Sequence, residues 1–427
     1  MKIAIIGGGI TGLTSAFYLT QKGHEVTIFE RENLCGGLAS GFLTNNWNWH
    51  LERTYHHIFS NDNDILQFSK KIGFDEFFFT SPQTSSLYNS RTFPVDTPQD
   101  LLNFPLLSVP EKLRAGIVIA FLKISPFFSY YEKKTASKFL KETMGDQAWI
   151  ILWEELFRKK FGKYAEKIVA SFIWARIKKR SKNLGYPTGG FQNFINHIVK
   201  QTISRGADIK NNCSVTRIDK HRGTFTIYYS EVGAISNRFQ KKEFDVVIST
   251  LPTPILVKIG ESLFDRGYIE RLKKIIYLSA VNLILETNTP ILNKVYWLSI
   301  CDKNIPIMCI VQHTNFIDKK HYGNNDISYV ANYVEENNWR MRAPKEEVIS
   351  KYLQYLRILN AKFSIQNSHL FKVLYAQPIF NKEFVKNKPE IITPVHNLYI
   401  ANLEMTYPYD RGTNFAVRLG KQVAEMV

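Results

Sequence analysis

The sequence predicts an α/β fold, in which a parallel sheet flanked by helices is joined to an antiparallel sheet and a helical cap. Three observations support this prediction: a strand–turn–helix–strand unit at the start of the chain, later β-rich runs that fit the same parallel sheet, and central stretches with helical or strand-like spacing. With 427 residues, the chain is long enough for two or three domains.

The first unit begins with Lys2–Ile6, a short β-rich run typical of buried parallel strands. It leads into Gly7-Gly8-Gly9-Ile10-Thr11-Gly12, which matches the pattern GxGxxG. Apolar residues at helical spacing predict a helix from Ile10 to Gln21, ended by Gly23, and Glu25–Glu30 predicts a second strand. This order is typical of a Rossmann-like dinucleotide-binding domain.

Each glycine of the motif has a mechanical role. Gly7 allows the tight turn, Gly9 lets a pyrophosphate approach the backbone, and Gly12 lets the helix pack closely on the strand. Glu30 lies 18 positions after Gly12 and would accept hydrogen bonds from the adenosine ribose hydroxyls.

A glycine pair after the second predicted strand bears on whether the dinucleotide is FAD or NAD. Gly36-Gly37-Leu38-Ala39 follows Glu30 closely, and the run E-x5-GG-x-A resembles the FAD-binding extension of the flavin amine oxidase superfamily. That superfamily includes monoamine oxidases, protoporphyrinogen oxidases and carotenoid desaturases. The resemblance implies FAD as the cofactor, with Gly36, Gly37, Leu38 and Ala39 close to its diphosphate and Arg31 also among the cofactor-binding residues.

Later segments resemble the same superfamily. Gly185–Phe191, a helical stretch and Cys213–Ile218 look like its middle block, in which the backbone at the position of Val215 contacts the adenine. Phe244–Leu251 resembles the returning strand, and Asn397–Ala401 the last one. The resemblance implies further cofactor contacts where the final helix begins, at Arg411, Gly412, Thr413 and Asn414. Asn402 departs from the pattern, because a glycine is usual there or at the preceding residue.

The resemblance covers both ends of the chain and a middle block, so we expect a discontinuous FAD-binding domain of residues 1–84, 185–264 and 386–427. Residues 85–184 are aromatic and basic with helical spacing, and predict a helical cap or substrate region. Residues 265–385 alternate strand-like runs, and predict an antiparallel-sheet substrate domain.

The candidate catalytic residues lie in the segment 53–59, which in the superfamily passes near the flavin ring. They are Arg53, His56 and His57. Neighbouring residues of a strand point to opposite faces, so only one histidine would face the flavin, and we favour His57. Arg53 would either bind an anionic substrate or form a surface ion pair. The function expected is that of an FAD-dependent oxidoreductase, of the dehydrogenase, oxidase or desaturase type, which moves a hydride from an organic, hydrophobic small molecule to flavin N5.

Two alternatives remain open. The stretch HHIFSND and the stretch ANLEMTYPYD have weaker similarity to UDP-galactopyranose mutase, a flavin-dependent sugar-nucleotide mutase. Asn402 stands where the substrate-binding arginine of that enzyme would be. The second alternative is a flavoprotein without catalysis. Trp153–Gly162 and Trp174–Arg180 look instead like the helical region of bacterial flavoproteins described as protoporphyrinogen oxidase-like.

Composition limits the partners. Lys plus Arg is 55 and Asp plus Glu is 38, a net charge of +17. A membrane surface or an anionic substrate would suit this charge, and no signature of a nucleic-acid-binding motif accompanies it, so we expect no nucleic-acid partner. The four cysteines include no CxxC pair and predict neither a disulfide framework nor a metal site. A reducing, cytoplasmic location fits them.

The longest apolar run, AGIVIAFL between Arg114 and Lys123, has eight residues, whereas a bilayer-spanning helix needs about 20. We expect it to be a buried helix of the cap. The alternative is a peripheral contact with a membrane, made by this run together with the aromatic residues at 127–131 and the nearby lysines.

Overall fold

A computed structural model describes residues 1–233 and 240–427. Its strands, in chain order, are β1 (Lys2–Ile6), β2 (Glu25–Phe29), β3 (Gly41–Phe42), β4 (Leu51–Glu52), β5 (Ile58–Phe59), β6 (Phe77–Thr80), β7 (Gln83–Tyr88), β8 (Arg91–Pro94), β9 (Leu184–Pro187), β10 (Asp208–Lys210), β11 (Cys213–His221), β12 (Thr224–Glu231), β13 (Gln240–Phe244), β14 (Val246–Ser249), β15 (Tyr277–Thr287), β16 (Val295–Ile300), β17 (Cys309–Gln312), β18 (Asp326–Val334), β19 (Ile365–Pro378) and β20 (Leu398–Ile400).

The helices, in chain order, are α1 (Ile10–Gln21), α2 (Asn63–Lys71), α3 (Pro98–Leu102), α4 (Val109–Ile124), α5 (Phe128–Glu132), α6 (Ala136–Met144), α7 (Asp146–Trp149), α8 (Glu155–Phe161), α9 (Ala170–Lys179), α10 (Phe191–Ile203), α11 (Thr253–Ile259), α12 (Arg266–Leu272), α13 (Trp339–Arg342), α14 (Lys345–Leu359), α15 (Lys382–Asn387) and α16 (Thr413–Met426).

The first sheet is five-stranded, in the order β10-β2-β1-β14-β20, and all its neighbouring strands are parallel. Its central strands are short apolar runs because both faces are covered. Helix α1 packs on the sheet, and so does the three-stranded antiparallel sheet β11-β12-β13, whose Tyr229 and Phe244 contact Phe29. The parallel sheet and the positions of β1, α1 and β2 confirm the predicted α/β class.

The first and last helices of the described chain touch each other at backbone distance. The Ser15 hydroxyl of α1 donates to the Gly420 carbonyl of α16 over 3.1 Å. A Cβ atom at Gly420 would overlap the Thr11 carbonyl oxygen. Glycine at 420 is therefore what allows α16 to lie against α1, directly behind the glycine turn.

The second large sheet has seven strands in the order β19-β15-β18-β17-β16-β7-β8. Its pairs are antiparallel except for β16 with β7, which is parallel. It is the antiparallel sheet predicted for residues 265–385, and it also takes in β7 and β8, part of which lies in the stretch assigned to the cap. The domain boundaries themselves stay a prediction.

One side of this sheet is closed by α14. Val348, Tyr352 and Leu356 recur every fourth residue and are buried against Leu283 and Val330 of the sheet. The other side packs against the segment around β4 and β5: the Tyr329 hydroxyl donates to the Glu52 carbonyl over 2.7 Å, and Trp297 meets the ring of Tyr55. The candidate site includes this segment.

Helices α3 to α9 form the cap. The expectation that the run at 115–122 is a buried helix is wrong for α4 as a whole, because only Ala115 and Leu122 of its 16 residues are buried. The apolar residues at 115–122 surround the helix, but only part of its surface is covered by the rest of the protein. None of the helices in residues 1–233 and 240–427 is both long enough and apolar enough to cross a membrane.

Candidate functional site

The glycine turn between β1 and α1 is held by the strand beside it. Gly7, with φ of +109°, donates its N–H to the Phe29 carbonyl over 2.9 Å. Gly8 donates to Glu30 Oε2 over 2.8 Å. Helix α1 then starts after Gly9 with no side chain capping its first N–H groups. These donors, at the positive end of the helix dipole, are available to an anion such as a diphosphate.

The glycine doublet lies beside this turn. Gly36 has φ of +141° and Gly37 of +58°, and Gly36 donates its N–H to the Gly8 carbonyl over 2.9 Å. A Cβ atom at Gly37 would lie 3.3 Å from Gly9 Cα, so the two turns approach at backbone distance. Leu38 accepts a hydrogen bond from the Thr54 hydroxyl over 2.8 Å, and Ala39 is buried.

Glu30 is buried at the end of β2. Its two carboxylate oxygens accept from the N–H of Gly8 and the N–H of Glu32, at 2.8 and 2.9 Å. Each oxygen keeps a second lone pair, which fits the predicted contact with ribose hydroxyls. Val215 follows two residues after Cys213, whose N–H donates to the Glu30 carbonyl over 2.8 Å. Arg31 instead is exposed and pairs with Glu32 at 3.2 Å.

The start of α16 is the third part of the predicted cofactor site. Gly412 precedes the helix without a side-chain cap, and the Thr413 hydroxyl is buried without a hydrogen-bond partner among the described residues. Asn414 is committed elsewhere, since its amide donates to Asp64 over 3.0 Å and accepts from the N–H of Ile65 over 3.1 Å. The uncapped helix ends and the unpartnered hydroxyl fit FAD. The side chain of Asn414 is used inside the protein, and its contact with FAD stays a prediction.

His56 and His57 lie in irregular backbone just before β5, so the alternation of a strand does not govern them. His56 Nδ1 lies 2.6 Å from the Thr54 carbonyl. His57 Nδ1 lies 3.2 Å from the Tyr296 hydroxyl, and its ring meets the edges of Tyr296 and Trp297 of the seven-stranded sheet. The two imidazoles therefore face different neighbours, and His57 faces the substrate sheet.

Both histidines are neutral at neutral pH. Burial and the charge of Arg411 lower the pKa of His56 to about 4, against a raising contribution from the Thr54 carbonyl. Burial, His56, Arg180 and Arg176 lower the pKa of His57 to about 3. A group with so low a pKa is a weak base, so a role in orientation fits His57 better than proton abstraction.

Arg53 forms the ion pair that was one of its two expected alternatives. Its Nη1 lies 3.5 Å from Glu32 Oε2, and its guanidinium lies 5.8 Å from the centre of the Phe371 ring. The side chain thus turns toward the end of the site formed by Glu30 and Glu32. A catalytic role for Arg53 stays a prediction.

A charged cluster around Asp410 was missed by sequence reasoning. Asp410 Oδ2 accepts from Lys160 Nζ over 2.6 Å and lies 3.2 Å from Arg176 Nη1. Burial would raise the pKa of Asp410, but Lys160 and Arg176 outweigh this and lower it. Arg411 extends the cluster and donates to the Tyr333 hydroxyl. The available signals were the basic, helical character of residues 85–184, which include Lys160 and Arg176, and the stretch ANLEMTYPYD, which ends in Asp410.

Asn402 has a structural place. Its amide donates to the Leu251 carbonyl over 3.0 Å and to the Thr253 hydroxyl over 3.1 Å, which ties β20 to the turn after β14. Nearby Glu404 is buried, accepts from the N–H of Thr253 over 3.0 Å and bonds to the Tyr277 hydroxyl. Burial raises the pKa of Glu404 to about 7.

Among the described residues, no group of three or more His, Cys, Asp or Glu side chains could hold a metal ion.

The parallel sheet, the two adjoining glycine turns and the uncapped start of α16 define the fold and the site of an FAD-binding flavoprotein. Residues 10–383 match the family model described as flavin containing amine oxidoreductase. The chain belongs to this family, and FAD is its cofactor.

Curated relatives match only in part. The chain is 30% identical over 132 residues to the zeta-carotene desaturase of Solanum lycopersicum, a match that covers 28% of this chain and 22% of that protein. It is 21% identical over 310 residues to the 15-cis-phytoene desaturase of Synechococcus elongatus, covering 67% of this chain and 65% of that protein. The chain thus matches about a fifth of the length of the first of these relatives.

Solved structures share the whole fold. A protein described as a putative protoporphyrinogen oxidase from Exiguobacterium sp. 255-15 superposes with a TM-score of 0.75 at 16% identity, covering 100% of this chain and 98% of that one. Reduced UDP-galactopyranose mutase superposes with a TM-score of 0.73 at 15% identity, covering 100% and 96%. At these identities the likeness concerns the fold alone.

Proposed function

We propose that the protein is an FAD-dependent oxidoreductase of the dehydrogenase, oxidase or desaturase type, which takes a hydride from an organic, hydrophobic small molecule. One observation carries the proposal. The segment from Thr54 to His57 connects the glycine doublet, through the bond of Thr54 to Leu38, with the aromatic side chains of the seven-stranded sheet. The predicted cofactor site and the sheet therefore meet at these residues.

Bound FAD would supply the hydride acceptor, its N5 atom. The protein supplies the orientation. Burial raises the pKa of Tyr296, so its hydroxyl, 3.2 Å from His57 Nδ1, stays protonated. The proposal assigns His57 the tautomer that carries its proton on Nε2, so that Nδ1 accepts from Tyr296 and Nε2 is left as the donor to a substrate.

Aromatic rings make the wall beside His57 apolar. Tyr55 meets Trp297 edge to face with their ring centres 4.9 Å apart, and Phe59 lies beside His57 with ring centres 5.6 Å apart. Such a wall favours an apolar substrate body and excludes water. Lys160, Arg176 and Arg411 outnumber Asp410, and so favour a substrate with one electron-rich or anionic group at that end.

The proposed location is the cytoplasm, in peripheral contact with a membrane. The four cysteines are all free and buried, which suits a reducing compartment. A peripheral contact suits both the apolar substrate and the net charge of +17.

The mutase alternative gains no support from its fold neighbour, because the likeness is one of fold. Asn402 also speaks against it, since its amide is used inside the protein to hold Leu251 and Thr253. No observation favours a flavoprotein without catalysis.

The test is anaerobic titration of the purified yellow protein with candidate isoprenoid and porphyrinogen substrates, followed at the flavin absorption bands. We expect one of these classes to bleach the flavin. His57→Ala should slow the bleaching and leave FAD bound, whereas His396→Ala, a change at an exposed histidine, should match the wild type. A flavin unmoved by these substrates, with activity on a UDP-sugar only after prior reduction, would refute the proposal in favour of the mutase.

A further inference from the structure

Helix α4 carries a stripe of exposed apolar side chains. Val109, Leu113, Ile117 and Phe121 follow one another at intervals of four residues and so stand on one face. Ile117 is 70% exposed. At 1.5 Å per residue, the 16 residues of α4 give this stripe a length of about 24 Å.

The stripe continues beyond both ends of the helix. Of the 21 large hydrophobic side chains exposed among the described residues, nine lie between positions 102 and 130. These nine are Leu102, Leu106, Val109, Leu113, Ile117, Phe121, Ile124, Phe127 and Tyr130. Single exposed hydrophobic residues are ordinary, but this concentration marks an interaction surface.

Positive charge borders the stripe. Between residues 102 and 134 there are five cations and two acids, Glu111 and Glu132. Glu111 is used in the capping box of α4 with Ser108. Lys112 and Lys133 form no ion pair with any residue that the structure describes. An apolar face with such a border complements a surface that is apolar in depth and negative at its rim.

We propose that α4 and its flanking turns lie in the interfacial layer of a bilayer that contains anionic lipids, with the apolar stripe among the acyl chains and Lys112 and Lys133 at the headgroups. This inference rests on the peripheral membrane contact proposed above and names the surface that makes it. A lipid surface supplies both the apolar depth and the negative rim, which is why we favour it over a second copy of this equally basic chain.

The surface connects to the candidate site through α9. Lys123, near the end of α4, donates to the Arg180 carbonyl over 2.6 Å, and Lys178 donates to the Ser125 carbonyl over 2.9 Å. Helix α9 also carries Arg176, which bonds to Asp410. The membrane-facing helix is thus fixed to an element that lines the site, an arrangement suited to a substrate dissolved in the acyl layer.

The inference is tested by sedimenting the FAD-loaded protein with vesicles of phosphatidylcholine mixed with phosphatidylglycerol, and with vesicles of phosphatidylcholine alone. We expect binding to the mixed vesicles, weaker binding to the neutral ones, and weakening by salt. Ile117→Glu should reduce binding to mixed vesicles roughly tenfold or more, the loss that follows from withdrawing one buried isoleucine. Ile203→Glu, at a 51% exposed position of α10, is the matched control and should bind as the wild type does.

Wild-type protein that stays in the supernatant with mixed vesicles would overturn the inference, and so would Ile117→Glu protein that sediments like the wild type. Light scattering after gel filtration gives the molar mass of both proteins. A dimeric wild type and a monomeric Ile117→Glu variant would assign the stripe to self-association and overturn the inference. The binding assay needs no substrate, so its failure is distinguishable from a failure of the proposed hydride transfer, which flavin bleaching measures.

Discussion

Two alanine substitutions in the glycine turn should separate cofactor binding from folding. Gly9 has φ of −70° and ψ of 175°, which alanine adopts without strain. A Cβ atom there would lie 3.9 Å from Gly37 Cα, its nearest neighbour, which is an ordinary contact. Gly9→Ala should therefore leave the apoprotein as stable as the wild type while placing a methyl group where the diphosphate approaches.

The size of the effect on FAD follows from the hydrogen bonds that the displaced diphosphate can no longer accept. A hydrogen bond to a charged group contributes about 1.5–3 kcal/mol, so removing one at the phosphates weakens FAD binding roughly 10- to 150-fold. At Gly12 the expectation differs, since a Cβ atom would overlap the Gly7 carbonyl oxygen. Such overpacking costs about 1–3 kcal/mol of stability, so Gly12→Ala should destabilise the apoprotein itself.

The measurements are urea unfolding of the apoproteins and titration with FAD followed by quenching of its fluorescence. Gly9→Ala protein that holds FAD as tightly as the wild type would refute the assignment of Gly9 to the diphosphate. Apoprotein of Gly9→Ala that is destabilised as much as Gly12→Ala would show that the effect is one of folding.

Three further changes test other parts of the site. Glu30→Ala should weaken FAD retention, because it removes the acceptor for the ribose hydroxyls. It also leaves the buried N–H of Gly8 unpaired, which costs about 1–3 kcal/mol. FAD retention measured by dialysis should fall, and unchanged retention would contradict the assignment of Glu30. Asp410→Asn should lower the free energy of unfolding in urea by about 3 kcal/mol, which is the lower end of the range for a broken buried ion pair because Arg176 is 40% exposed. Since the folded state lowers the pKa of Asp410, this difference between the proteins should be present at neutral pH and disappear as the pH falls below about 4. Glu52→Gln should flatten the pH dependence of stability, because burial raises the pKa of Glu52 from 4.5 to about 7. The free energy of unfolding of the wild type should therefore fall by roughly 3 kcal/mol as the pH rises from 4.5 to 7, and that of the variant should not. Parallel profiles of unfolding free energy against pH for the two proteins would be evidence against it.

The cofactor-binding half of the fold can be predicted from the sequence because its strands, helix and turns are specified by short, contiguous sequence patterns. The strand Lys2–Ile6, the helix Ile10–Gln21 and the strand from Glu25 are found where the spacing of apolar residues predicted them. The glycines in between have roles set by backbone geometry, and backbone geometry depends on few neighbours.

The substrate half depends on contacts between distant residues. Lys160 and Asp410 are 250 positions apart and meet only because α8 and the loop before α16 approach the same cleft. The histidines of the segment 53–59 could be named from sequence, but their low pKa values depend first on burial and then on Arg176, Arg180 and Arg411, and the fold supplies both. Which side of α4 is covered was likewise decided by its neighbours and not by its own composition.

The contact of Ser15 and Gly420 has a consequence for biosynthesis. Helix α1 emerges from the ribosome about 400 residues before α16, and β14 and β20, which complete the parallel sheet, also come late. A nascent chain therefore possesses the glycine turns long before it possesses the helix that closes behind them. We therefore expect the complete cofactor site to form only once α16 has been synthesised and has packed against α1.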